Sequence, residues 1–207
     1  MTVHRRTGLL KRPVEQRFAS LFLVASEDTY ACSQYFEALQ DSGILDARRV
    51  CVTVIPAREG KSSPKWVMEL HKETEVRLKP MDERWLSLDR DRWTVDELAD
   101  VAREAMQKGW FMAVSNPCFE AWLLLHLSDE PLPDTARGCE IAMRSRLGSY
   151  NKTNLPTGPW TLSAVQDAVT RARGRDTSPN HRWPQEPGTH LYRLVERLLP
   201  QTEARAG

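Results

Sequence analysis

Leu86-Ser87-Leu88-Asp89-Arg90-Asp91 decides how this chain is read. A strand-like apolar run stops there at two carboxylates. Ser115-Asn116-Pro117-Cys118-Phe119-Glu120 does the same after the apolar run 110–114. A carboxylate just past a buried strand contributes little to folding. Several at neighbouring strand ends usually hold a divalent cation.

Outward from these two stretches the pattern is strand, helix, strand. Residues 18–25 (FASLFLVA) form a short apolar run of the kind buried on both faces. Ser26-Glu27-Asp28-Thr29 ends it with helix-capping chemistry. Cys32, Tyr35, Phe36 and Leu39 follow at helical spacing, and Asp41-Ser42-Gly43 stops that helix. Residues 50–55 (VCVTVI) are a β-branched second strand. Pro64, capped by Ser63, starts a second helix, and residues 85–88 are the third strand. Thr94 and Glu97 make a capping box for a third helix lined by Leu98, Val101, Ala102 and Ala105. Residues 110–114 are the fourth strand, and Pro117 is expected to open a fourth helix. Parallel strands need such crossovers. The expected class is α/β: a parallel sheet of about four strands with helices on both faces.

After about Leu127 the pattern becomes helical, without clear strands. Residues 134–147 and 162–173 read as helices, and Thr189 caps a last one through Leu191, Leu194, Val195 and Leu198. The expected organisation is an α/β core over residues 1–128 and a helical region, 129–207, packed on it. Apolar area on the last helix is a candidate surface for a second copy or another protein.

Composition excludes little beyond membranes and disulfide scaffolds. Among 207 residues 28% are charged, yet the formal net charge is +1, so a basic surface would have to be local. Arg144, Arg146, Lys152, Arg171, Arg173 and Arg175 are candidates for one. No apolar run reaches the roughly 20 residues of a membrane span, and no signal-like core follows the basic residues 1–12. A soluble, cytoplasmic protein is expected. Cys32, Cys51, Cys118 and Cys139 are widely spaced and read as buried free thiols, and no histidine spacing suggests zinc. Most of the seven tryptophans, Trp66, Trp85, Trp110 and Trp122 among them, sit in apolar patterns and read as packing.

Ligands of an open parallel sheet sit at the strands' carboxyl ends. Glu27 lies there after the first strand, Asp89 and Asp91 after the third, and Glu120 beyond the fourth. If Asp89 and Asp91 stay extended, their side chains point the same way. Oxygen donors from three separate places suit one or two Mg²⁺ or Mn²⁺ ions, which neutralise a phosphodiester and activate a bound water. Each residue also has a plainer reading. A D-x-D can merely cap a turn, Glu120 can complement a helix dipole, and Glu27 can be an ordinary capping-region carboxylate. Glu59-Gly60-Lys61-Ser62 mimics a phosphate-binding loop, but the earlier glycine it requires falls at Ile55, followed by Pro56. Lys61 remains a candidate contact to a nucleic-acid backbone. Lys152 and His126 are candidates for phosphate contact or proton transfer, against a solvated lysine and a packed histidine.

These residues together resemble the RloB-like proteins, relatives of Toprim nuclease domains. The resemblance rests on Glu27 with Tyr35-Phe36, on Asp89-Arg90-Asp91, and on the run from Ser115 through Ala121-Trp122-Leu123-Leu124-Leu125-His126. Tyr150-Asn151-Lys152 and Gly188-Thr189-His190-Leu191-Tyr192 complete it. It implies a Toprim-like core with Glu27, Asp89, Asp91 and Glu120 as metal-holding, catalytic residues. Arg90, Asn151, Lys152, His126 and Lys61 are then the candidate nucleic-acid contacts. It further implies a nuclease effector of bacterial anti-phage defence, encoded beside an ABC- or AAA-type ATPase. RNA, transfer RNA by analogy, is the expected substrate ahead of DNA. The family places glycine after the first glutamate and a second glutamate five residues after the first; here those positions are Asp28 and Cys32. Either Asp28 replaces the missing ligand or the site is weakened. In the latter case the chain is a regulatory subunit that docks the ATPase without activity of its own.

Overall fold

The computed structural model describes residues 18–57 and 61–200. Along them run β1 (Ser20–Ser26), α1 (Ala31–Asp41), β2 (Val50–Pro56), α2 (Pro64–Glu73), β3 (Glu83–Asp89), α3 (Val95–Gln107) and β4 (Phe111–Asn116). Then follow α4 (Glu120–Leu127), α5 (Ala136–Leu147), α6 (Leu162–Arg175), β5 (Gly188–Thr189) and α7 (Leu191–Leu198). The sheet order is β2-β1-β3-β4-β5, parallel except for β5. The expected α/β class holds, and the arrangement is compatible with a Toprim-like fold.

Strand side chains alternate between two cores. Phe22, Val24, Trp85 and Ala113 face one that includes α1 and α4, while Ala25, Leu86, Leu88 and Val114 face one built with α2 and α3. Burial on both faces is why these strands read as unbroken apolar runs. All four cysteines are free and buried. Trp85 and Trp122 are core residues, but Trp66 is 43% exposed. It is a half-open ring on α2, not packing.

Beyond α4 the helices wrap around it. Every residue of α4 from Glu120 to His126 is buried, as a helix apolar on all sides must be. Cys139 and Met143 of α5, Val165 and Ala168 of α6, and Leu194 of α7 join the same core as α1. Leu191, Leu194, Val195 and Leu198 are all buried. The apolar face of α7 is therefore used inside the chain, which removes it as a docking surface.

Two boundaries differ from the sequence reading. α4 starts at Glu120, not Pro117, because the backbone of Ser115 and Pro117 is occupied in accepting from Arg90 N–H (2.9 and 3.0 Å). β5 was hidden because two residues leave no periodic pattern. It forms where Gly188 and Thr189 pair with Asn116 and Ser115, with a hydroxyl–hydroxyl contact from Ser115 to Thr189 at 2.8 Å. Thr189 Oγ1 also accepts from Leu191 N–H (3.0 Å), the capping role read from sequence.

The Thr94 capping box is formed as read. Its hydroxyl accepts from Glu97 N–H (3.3 Å), and Glu97 Oε2 accepts from Thr94 N–H (2.9 Å). Thr94→Ala is expected to cost about 1 kcal/mol. For a chain of this size that lowers the melting temperature by about 2–4 °C, measurable by calorimetry.

Candidate functional site

Parallel pairing sets the carboxyl ends of β1, β3 and β4 side by side: Ser26 pairs with Ser87, and Asp89 with Ser115. Glu27 and Asp28, Asp89, and the loop leading to Glu120 therefore meet at one edge of the sheet. The turn after β3 is stitched to that loop, since Asp91 N–H also donates to Pro117 O (3.1 Å). The chain turns at Arg90, so Asp89 and Asp91 do not stay extended. Asp91 is exposed and opens onto a cleft of about 500 Å³ that Arg90, Asn116 and the start of α5 also line.

Each buried carboxylate is held differently. Glu27 Oε2 accepts from Asp89 N–H (3.1 Å), and both its oxygens lie 2.9 Å from Trp93 Nε1. Burial pushes its pKa up to about 7, against the pull of those donors and of Arg92. Asp28 Oδ1 accepts from Tyr30 N–H (2.8 Å) and Cys32 N–H (3.1 Å), capping the first turn of α1. Its other oxygen, Oδ2, lies 2.8 Å from Lys152 Nζ. Glu120 Oε1 accepts from the Tyr150 hydroxyl (3.0 Å) and lies 3.3 Å from the same ammonium. Burial, and then the charge of Glu27, hold the Asp89 carboxyl well above the usual range. Burial also pushes the Cys32 thiol up to about 12, so no thiolate joins these carboxylates. Burial alone would lower the Lys152 pKa, but Glu120 and Asp28 outweigh it and keep the ammonium charged.

Thus Glu27, Asp28, Asp89 and Glu120 are brought together, with Asp91 at the open rim. Among the described residues no three His, Cys, Asp or Glu close into a ready metal cage. The donors are nonetheless all hard oxygens, crowded and buried enough to raise the Glu27 and Asp89 carboxyls above their ordinary range, and an ammonium already sits among them. That set fits a hard divalent cation in chemistry and charge.

The candidate nucleic-acid contacts divide. Arg90 lines the cleft, its guanidinium donating to Trp93 O (2.9 Å). Asn151 Oδ1 accepts from Thr153 N–H (3.0 Å) and orders the turn that carries Lys152. Lys61 lies over the exposed Trp66 ring, 4.3 Å from its centroid. Glu59 and Gly60, before it, lie outside the described residues. His126 is in the core: its Nε2 meets the Tyr35 hydroxyl and its Nδ1 meets Trp122 O, both at 3.0 Å. Burial lowers its pKa to about 3, so it presents neither charge nor a free nitrogen to a phosphate. The basic segment is also largely neutralised. Arg144 pairs with Glu140 (2.6 Å), Arg175 with Asp129 (2.7 Å), Arg146 with Glu130 and Arg173 with Glu196.

Sequence reasoning missed Trp93 and gave Tyr150 no role. Both act across long separations, on Glu27 and Glu120, where no periodicity or spacing points to the partner. Among the described residues no helix is long and apolar enough to cross a membrane.

A family model described as RloB-like protein matches residues 22–198, a span that holds every strand-end carboxylate named above. No curated protein and no solved structure matches the chain.

Proposed function

The chain belongs to the RloB-like protein family, and from that premise we propose that it is a divalent-cation-dependent nuclease. RNA is its preferred target over DNA. It serves as the effector of an anti-phage system with an ABC- or AAA-type ATPase. The observation that carries this reading is the gathering of Asp89 beside Glu27, Glu120 and Asp28 at one edge of the sheet, more carboxylates than the single Lys152 ammonium pairs. Buried like charges from three elements are costly unless a cation joins them.

In this reading Asp89 holds Mg²⁺ or Mn²⁺ with Asp91 and Glu120, and Glu27 and Asp28 complete the acidic wall. Bound there, the ion would supply charge neutralisation at the phosphodiester and a more acidic water. The chain's own residues orient the rest. Trp93 and the Asp89 N–H fix the Glu27 carboxyl, and Tyr150 fixes Glu120. The side chain of Lys152 is 42% exposed, so its ammonium can face an incoming phosphate. Arg90, at the cleft beside Asp91, is placed to meet the neighbouring one.

A second reading has one specific observation in its favour. Both Glu27 oxygens already have donors, and Asp28 and Glu120 already share a cation. A binding subunit that docks the ATPase would need nothing more. A Mn²⁺ titration of thermal stability, followed by cleavage assays on transfer RNA and duplex DNA, separates the two. The nuclease should gain about 2.7 kcal/mol when Mn²⁺ reaches a hundred times its dissociation constant, and should cut RNA in an EDTA-sensitive way. No stabilisation and no cleavage, with or without the ATPase, would favour the binding subunit. No stabilisation would remove the metal centre.

A further inference from the structure

The cleft beside Asp91 is built by three separate parts of the chain. Its floor is the turn after β3, where Arg90 N–H donates to Pro117 O (3.0 Å). One wall is the corner that leads into α5. Gly138 lets that corner close, since a Cβ there would stand 2.8 Å from Pro133 Cβ and 3.0 Å from Thr135 Oγ1. Asp134 lies within it, and Thr135 Oγ1 caps α5 by accepting from Gly138 N–H (3.1 Å). A second wall is the segment 176–187, which crosses the carboxyl end of β4. Asp176 fastens its start, accepting from the Tyr192 hydroxyl (2.9 Å) and from Arg193 (3.0 Å). Trp183 is buried in the core of α2 and α3. Asn116 Nδ2 then donates to Pro184 O (3.3 Å) and Gln185 O (3.1 Å), which sets Gln185 at the cleft.

At about 500 Å³ the cleft is within the size range of small-ligand sites. Its charges are one guanidinium against the carboxylates of Asp91 and Asp134. Negative excess inside it favours a neutral ligand with N–H donors over a phosphate. Among the described residues Asp134 has no hydrogen-bond or ion-pair partner. Arg90 commits one guanidinium nitrogen, to Trp93 O (2.9 Å), and leaves the rest of its fork unused. An unused carboxylate and an unused fork thus share one cleft.

Among the RNA bases only guanine matches both. Its N1–H and N2–H are neighbouring donors for one carboxylate, and its O6 and N7 are neighbouring acceptors for an arginine fork. Cytosine and adenine would set a ring-nitrogen lone pair against the carboxylate, and uracil offers it a single N–H. We propose that this cleft is a guanine pocket, in which Asp134 reads the N1–H and N2–H edge and Arg90 the O6 and N7 edge. The inference rests on the nuclease reading above and names the base that such a nuclease selects. A phosphate met by the remaining N–H groups of Arg90 lies at the mouth of the cleft, outside the pocket. Asp91 lines the same cleft, so cleavage falls beside the bound guanine.

The test separates recognition from cleavage. Fluorescein-labelled uridine heptamers with G, A, C or U at the centre are titrated with protein in EDTA and in Mn²⁺, followed by anisotropy and by gel. The proteins are wild type, Asp134→Ala and Arg90→Lys, the last keeping a charge for phosphate but no fork. In wild type the central-G heptamer should bind about tenfold tighter than the others. Both variants should erase that preference, and Asp134→Ala should do so at an unchanged melting temperature because its side chain is exposed and unpaired. With Mn²⁺, cuts should fall beside G in wild type and lose that placement in the variants. Equal affinity for the four heptamers, preference for another base, or a G preference that persists in either variant would overturn the inference and leave the nuclease reading standing. No binding and no cleavage of any heptamer, with or without Mn²⁺, would overturn both.

Discussion

Asp89→Ala is expected to abolish RNA cleavage by the purified protein, with a loss of about a thousandfold or more. A residue that holds a catalytic ion stabilises the transition state by several kcal/mol, and each 1.36 kcal/mol is about tenfold in rate. Asp89 has the strongest claim to that role. It ends the central strand β3, lies beside Glu27 and Glu120, and its side chain is in neither core. The fold should survive the change, because Asp89 N–H still donates to Glu27. Metal-free stability should even rise, since one of several crowded carboxylates has gone. A gain of about 1 kcal/mol would appear as about 2–4 °C in melting temperature. Loss of cleavage with an unchanged or higher melting temperature therefore distinguishes a catalytic defect from an unfolded protein. Asp89→Asn, which keeps the shape and loses the charge, should be equally inactive. A folded Asp89→Ala that still cuts RNA at the wild-type rate would sink the assignment.

Much of this site is legible in the sequence because strand ends announce themselves. Runs such as 50–55 and 85–88 stop at polar residues, and a parallel sheet gathers its strand ends at one edge. Glu27, Asp89, Asp91 and Glu120 could be gathered on that logic alone. What the residues around them do could not be read in the same way. Asp28 has no partner that the sequence points to, and only folding brings it the ammonium from residue 152. His126 looked available because it ends an apolar helix, but only tertiary packing shows Tyr35 and Trp122 using both nitrogens. The basic segment looked like a nucleic-acid face. Its carboxylate partners Asp129, Glu130 and Glu196 lie outside the segment and meet it only after folding. Local pattern carries the strands, helices and caps. Charge pairing is long-range, and one sequence does not encode it visibly.

That charge crowding should be measurable as a pH dependence of stability. In the metal-free protein the Glu27 carboxyl titrates at about 7, against 4.5 as its ordinary value. Its folded pKa is raised, so between these values the native state binds a proton that the unfolded chain releases. Its contribution to stability is thus fully present below pH 4.5 and is lost as pH rises through 7. At 1.36 kcal/mol per pH unit, the shift corresponds to about 3 kcal/mol. Buried neutral histidines run the other way. His71, with its pKa lowered to about 4, and His126 destabilise the protein as pH falls below the ordinary histidine range. A raw stability curve mixes the two, so the informative quantity is the difference between wild type and Glu27→Gln in EDTA. Glutamine keeps an oxygen for Trp93 and Asp89 N–H but cannot ionise, while the histidines cancel. Urea denaturation should show Glu27→Gln gaining on wild type by about 3 kcal/mol between pH 4.5 and 8. A flat difference would mean that Glu27 ionises like a surface carboxylate and that the site is not crowded. Saturating Mn²⁺ should shrink or reverse the advantage, because an ion bound beside Glu27 favours its charged form. By the same linkage, protons compete with the ion, so Mn²⁺ affinity in wild type should fall as pH drops below 7 and should fall less in Glu27→Gln.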